Sequence, residues 1–139
     1  MQNFTQKKRR IAKLLYEKES YLIRGACFDL YKELGNGHKE TVYQKGLSIL
    51  LKEKQLVVDK EKRIPVKIQN ISLGNYTPDF VINDSILLET KAKSYITIQD
   101  KKQFWQYLRA TDFKLGFLIN FGKPGGVEII RRVYDTARK

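Results

Sequence analysis

The chain has 139 residues, 42% of them hydrophobic, enough for one domain with a real core and too short for two ordinary ones. Lysine and arginine number 27 against 15 aspartate and glutamate, and the net charge of +12 favours a polyanionic partner such as nucleic acid. A single Cys and a single His exclude a structural zinc site and a metal centre built on several histidines. Any chemistry must therefore run on carboxylates, lysine and tyrosine.

The chain opens with Lys7-Lys8-Arg9-Arg10, followed by Ile11-Ala12-Lys13-Leu14-Leu15. No uncharged stretch there is long enough for a signal peptide, and no later one approaches the roughly 18 apolar residues of a membrane span. The expected location is cytoplasmic, with no membrane partner. Residues 1–18 read as a basic arm, partly helical and docked through Ile11, Leu14 and Leu15, and residues 19–139 as the domain. Ser20 is placed as the N-cap of a first helix with Leu22, Ile23, Ala26, Leu30 and Leu34 on one face, ended by Gly35. Cys27, among apolar neighbours, reads as a buried structural thiol. Gly35-Asn36-Gly37-His38 forms a turn in which His38 is solvated or contacts phosphate. A second helix follows from about Lys39 to Lys54, with Val42, Leu47, Leu50 and Leu51 as its apolar side.

Residues 56–68 alternate at Ile64, Val66 and Ile68 against Arg63 and Lys67, a strand pattern, and Pro65 suggests an edge. Segments 72–82, 86–93, 115–121 and 127–134 supply further strands. Between the second and third of these lies a helix, capped by Thr97 with Asp100, in which Gln103 and Tyr107 are neighbours on one face. No internal repeat and no glycine-rich phosphate loop occurs.

Charges stand out in the middle of the chain. Phe80-Val81-Ile82 and Ile86-Leu87-Leu88 are continuous apolar runs, the pattern of strands covered on both faces, yet Asp79 precedes the first and Glu89-Thr90-Lys91 follows the second. Asn83-Asp84-Ser85 is a cluster of turn formers. A three-residue loop there pairs Ile82 with Ile86 and sets Asp79 opposite Glu89, whereas an even-numbered loop sets Asp79 opposite Leu88 or Thr90. Opposed residues have Cβ atoms about 5 Å apart, where two carboxylates repel by on the order of 4 kcal/mol. A divalent cation between them reverses that sign. Lys91 returns to the face of Glu89 by strand alternation.

The succession of a helix bearing an acid, a hairpin with Pro78-Asp79 and Glu89-Thr90-Lys91, and a helix with Gln103-x-x-x-Tyr107 resembles the PD-(D/E)XK nuclease superfamily, in particular its RecB-like branch. The run YKELGNGHKETVYQKGL from Tyr31 to Leu47 and KLGFLINFG from Lys114 to Gly122 are similar to the small stand-alone GxxExxR family. The resemblance covers about Ser20 to Val133. Counted from Gly37, Glu40 fits the family name, but Tyr43 stands where the name has Arg, and no role is transferred to it.

The resemblance implies an α/β fold, a single domain with a central mixed sheet flanked by helices in a restriction-endonuclease-like αβββαβ core. It implies a nuclease that hydrolyses phosphodiester bonds, with DNA favoured over RNA. Asp79 and Glu89 would hold Mg²⁺ or Mn²⁺, with Glu40 and the Thr90 backbone oxygen as further ligands. Lys91 would orient the attacking water and stabilise developing charge, and Gln103 and Tyr107 would buttress the site and touch substrate. Lys7, Lys8, Arg9, Arg10, His38 and Lys93 are candidate nucleic-acid contacts. Two other readings stand beside this one: a catalytically silent nucleic-acid-binding module, and an interaction protein in which the acids form an internal salt bridge with Lys91. Oligomeric state is open.

Overall fold

The computed structural model describes residues 16–134. The proposed arm, with Lys7 to Arg10, Ile11, Leu14 and Leu15, lies outside these. Helix α1 spans Glu17–Leu34 and α2 spans Glu40–Glu53, followed by β1 (Val58–Lys60), β2 (Ile64–Ile68), β3 (Ile71–Tyr76), β4 (Phe80–Ile82) and β5 (Ile86–Lys91). Helix α3 (Ile98–Ala110) and strands β6 (Leu115–Asn120) and β7 (Glu128–Val133) complete the fold.

Five strands form a mixed sheet in the order β1-β4-β5-β6-β7, and β2 and β3 pair as a separate ribbon. Strands β1, β4 and β5 run antiparallel in succession, α3 carries the chain over to β6 parallel to β5, and β7 closes the far edge antiparallel. With α2 leading, this is the αβββαβ order, extended by α1 and β7 and interrupted by the ribbon.

Strand alternation divides the core. Phe80, Ile82, Ile86, Leu88, Phe117 and Ile119 face Ile23, Ala26, Cys27 and Leu30 of α1 and Tyr43, Leu47 and Leu51 of α2. Val81 and Leu87 face Leu108 of α3, and Leu118 faces Phe104. The buried strands are apolar throughout because helices cover both faces.

Several expectations are corrected. Ser20 is not a cap: α1 starts at Glu17, Tyr16 occupies the cap position at φ 57° without a side-chain bond, and Ser20 is buried inside the helix. Glu17 and Glu19 in the first turn suit the positive end of the helix dipole, which supplies the start signal instead. On α2, Val42 is 39% exposed and Tyr43 is fully buried. The tyrosine can go inside because its hydroxyl donates to Gly35 O at 2.6 Å while its ring stacks on Phe121 at 4.7 Å. Segment 72–82 is two strands in different sheets, broken at Thr77-Pro78-Asp79, where proline lacks a ladder donor and restricts the residue before it. Residues 56–68 likewise divide between β1 and β2, with Glu61 at φ 52° in the break. Pro65 sits opposite Asn75 in the two-stranded ribbon, where each strand is an edge. The cap of α3 is as expected: Thr97 and Asp100 form a reciprocal capping box. Cys27 is buried, and burial pushes its thiol up to about 12, so it is inert. No helix of the described residues is long and apolar enough to cross a membrane.

The exit of β5 is clamped from β6. Asn120, fully buried, accepts from Lys93 N at 2.9 Å and Gly122 N at 3.1 Å and donates to Lys93 O at 2.9 Å. Phe121 N donates to Lys91 O at 2.9 Å. A Cβ on Gly122 would lie 2.4 Å from Lys93 N and 2.5 Å from Ala92 C, both backbone atoms that cannot swing aside. Gly122→Ala is expected to destabilise the fold by about 1–3 kcal/mol or more, read as a lowered Tm in thermal unfolding. An unchanged Tm would mean that the clamp is looser than these contacts imply.

Candidate active site

The hairpin turn sets the geometry. Asn83 and Asp84 take positive φ values of 50° and 53°, which Asn and Asp tolerate, and Ser85 N donates to Ile82 O at 3.0 Å. The resulting register pairs Ile82 with Ile86 and Phe80 with Leu88, so Asp79 stands one step further, beside Glu89. Asp79 N donates to Glu89 Oε1 at 3.1 Å, and Thr90 N and Oγ1 each donate to Asp79 Oδ2 at 2.8 Å. Each acid is thus tied to the other's strand. These bonds fall on one oxygen of each carboxylate, Asp79 Oδ2 and Glu89 Oε1.

Two further elements brace the acids. Gln44, one turn along α2 from Glu40, donates through Nε2 to Thr90 Oγ1 at 3.1 Å and so holds the hydroxyl that holds Asp79. Tyr76, at the end of β3, donates its hydroxyl to Glu89 Oε1 at 2.7 Å, and its ring lies on that of Tyr107 at 4.0 Å and 6°. Burial and the charge of Glu89 push the Tyr76 hydroxyl well above the ordinary tyrosine range, so it remains a donor. Beside Asp79, Gln44, Lys45 and Lys60 help line a cavity of about 250 Å³.

The electrostatics follow from this geometry. Burial first, then the charge of Asp79, raises the Glu89 carboxyl to about 7 against the opposing hydrogen bonds and Lys91. Glu40, exposed at the start of α2, is also pushed up by partial burial and by Asp79, while Lys91 and Lys93 pull it down. The charge of Asp79 therefore raises both glutamates, and that of Lys91 lowers both. Neither Asp79 nor Glu89 forms a salt bridge with Lys91 among the described residues, while Lys54–Asp29, Lys62–Asp84 and Lys93–Asp100 do pair. The internal salt-bridge reading loses its basis.

Other expected site residues are placed as follows. Tyr107 reaches the site through Tyr76, while Gln103 on the same helix face is exposed. The Thr90 hydroxyl is committed between Gln44 and Asp79. His38 sets its ring nitrogen 3.0 Å from Leu34 O at the end of α1 and its ring edge-on to Tyr43. Lys93 binds Asp100 at 2.6 Å. Gln44 and Tyr76 went unnoticed in the sequence, although the Glu40-to-Gln44 spacing was a usable signal.

Among the described residues, no three His, Cys, Asp or Glu side chains gather as a ready-made metal cage. The donor set still suits a hard divalent ion, since Mg²⁺ is commonly bound by one or two carboxylates, with water and substrate phosphate completing its shell. Two adjacent carboxylates that repel one another, each with an oxygen left over, fit that requirement.

The sequence model of the PD-(D/E)XK nuclease superfamily matches residues 17–133. The chain belongs to the PD-(D/E)XK nuclease superfamily. No curated protein matches the chain. Among solved structures the chain is similar to an alkaline exonuclease (LHK-Exo) from Laribacter hongkongensis, at 15% identity over 66% of this chain and 54% of that one, with a TM-score of 0.43. The chain therefore spans about half the length of that exonuclease.

A carboxyl held above its ordinary value favours folding while protonated, so the metal-free protein should lose stability as pH rises from the normal glutamate value of 4.5 through about 7. Glu89→Gln keeps an oxygen for Tyr76 and Asp79 N but removes the charge. It is expected to stabilise the metal-free protein above pH 7 by on the order of 2 kcal/mol and to flatten that pH dependence. Thermal melts in chelator across pH check this, and a variant no more stable than wild type above pH 7 would count against a Glu89 charge disfavoured by burial and by Asp79.

Proposed function

We propose that the protein is a metal-dependent nuclease that hydrolyses phosphodiester bonds, with DNA as the favoured substrate and Mg²⁺ or Mn²⁺ as the cation. The single observation that carries the reading is the mutual tethering of Asp79 and Glu89, with the repulsion it builds into the metal-free site. Asp79 and Glu89 would hold the ion, with Glu40 and the Thr90 carbonyl as additional oxygen donors. When bound, the ion supplies a water of lowered pKa and neutralises charge on the phosphate.

The chain's own groups do the rest. Lys91, at the end of β5 and half-buried, orients the attacking water and stabilises negative charge as the phosphorus becomes pentacoordinate. Tyr76 and Tyr107 keep Glu89 fixed, and Gln44 with Thr90 keeps Asp79 fixed. Gln103, exposed one turn from Tyr107, is available to substrate. The net charge of +12 concentrates polyanions around the site. Membership of the RecB-like branch and kinship with the GxxExxR group, on the sequence elements given above, belong to this proposal, as does a cytoplasmic setting.

The expected result is cleavage of one or more of single-stranded, duplex, flap and four-way-junction DNA in Mg²⁺ or Mn²⁺, and none in chelator. Asp79→Ala and Lys91→Ala should each lower the rate by about 10²-fold or more while leaving the fold intact by circular dichroism. Cleavage unaffected by both substitutions would sink the mechanism, and binding without metal-dependent cleavage would favour the silent module.

A further inference from the structure

Away from the carboxylates, α3 and β7 enclose a second groove. Its volume is about 400 Å³, and it is lined by Lys101, Lys102, Trp105, Arg132 and Val133. Lys101, Lys102 and Trp105 share one side of α3, being three and four residues apart, whereas Tyr107 turns to the other side and meets Tyr76. Arg132 projects from β7, opposite Gly116 of β6. Among the described residues no acid lines the groove. None of its three cations enters a salt bridge among the described residues, and all three are exposed. Trp105 is half-buried, rooted against the Val81, Leu87 and Leu108 cluster and braced edge-to-face by Tyr134 at 5.8 Å.

A fixed aromatic surrounded by unpaired cations is the combination by which proteins hold single strands: the cations follow the phosphates and the ring stacks on a base. A duplex offers no unstacked base to such a ring, and a groove of this size is too small to seat one. The groove also lies on the sheet face covered by α3, the face to which Leu87 and, by alternation, Glu89 and Lys91 belong. The first turn of α3 reaches toward the end of β5 through the Asp100–Lys93 bond. A strand on this groove and the carboxylate pair are thus served by one helix.

The geometry points to a single-stranded nucleic-acid site at the α3–β7 groove, in which Trp105 stacks on an unpaired base and Lys101, Lys102 and Arg132 bind the flanking phosphates. It rests on the nuclease reading only for the kind of polyanion, and it narrows the substrate to one that carries an unpaired segment.

The single tryptophan of the chain is Trp105, so its fluorescence reports on this groove alone. Oligothymidylate titrated into the wild-type protein in chelator, where no cleavage occurs, should quench it saturably. Blunt duplex DNA and heparin should quench it at least several-fold less. The exposed triple variant Lys101→Ala, Lys102→Ala, Arg132→Ala should bind about tenfold more weakly, with a salt slope smaller by about 2, since each single-strand phosphate contact contributes about 0.7. Trp105→Phe preserves an aromatic in the core and should weaken binding less than the triple variant, measured by fluorescence anisotropy of labelled oligonucleotide. Absence of quenching, equal quenching by heparin, or unchanged affinity in the triple variant would overturn the inference. Cleavage assayed separately distinguishes the two failures. A groove variant that binds as wild type while Asp79→Ala abolishes cleavage refutes this site alone, and quenching without any cleavage refutes the nuclease reading alone.

Discussion

The structure depends on one unfavourable arrangement, two carboxylates held side by side where β4 and β5 open. Asp79 and Glu89 would separate if left to their charges. They are kept together because each takes hydrogen bonds from the other's strand, Asp79 N on Glu89 and Thr90 N on Asp79. Backbone donors cannot move without unzipping the ladder, so the fold's own stability is set against the repulsion. Burial first, and then the charge of Asp79, push the Glu89 carboxyl up from 4.5 to about 7. On the proposed reading, a divalent cation would turn this liability into a binding site.

Each neighbouring element serves that arrangement. Helix α2 contributes Gln44 to Thr90, β3 contributes Tyr76 to Glu89, and α3 contributes Tyr107 to Tyr76. From β6, Asn120 and the bare backbone of Gly122 fix the strand end from which Lys91 projects. These contacts explain why the sheet is interrupted where it is. The break at Pro78 places Tyr76 in the ribbon and out of the central ladder, where its hydroxyl meets Glu89 of β5 in the other sheet. The same chemistry favours a site that is strained when empty and stable when filled, as is common where function demands what stability opposes.

The hairpin was legible in the sequence because its signals are local: apolar runs of strand length, turn formers between them, and charges that did not belong. The capping box of α3 was legible for the same reason. What escaped depends on partners far along the chain. Gln44 bonds Thr90 across 46 residues, Asn120 bonds Lys93 across 27, and Tyr76 bonds Glu89 from a different sheet. Asn120 is itself a local signal, a polar residue in the apolar run of residues 115–121, as Asp79 is beside Phe80-Val81-Ile82. The start of α1 is not legible because Ser20 is a good capping residue and the two first-turn acids, Glu17 and Glu19, are a weaker signal. The burial of Tyr43 in place of Val42 is not legible because sequence does not reveal that Gly35 O accepts the hydroxyl.

Calorimetric titration of Mg²⁺ or Mn²⁺ into the wild-type protein just below pH 7, in buffers of different ionisation enthalpy, addresses the carboxylate pair most directly. Saturable binding is expected, accompanied by release of part of a proton from Glu89 that disappears well above about 7, and Asp79→Asn should abolish the heat. No saturable binding, or binding that Asp79→Asn leaves intact and that releases no proton, would contradict a cation site built on Asp79 and Glu89.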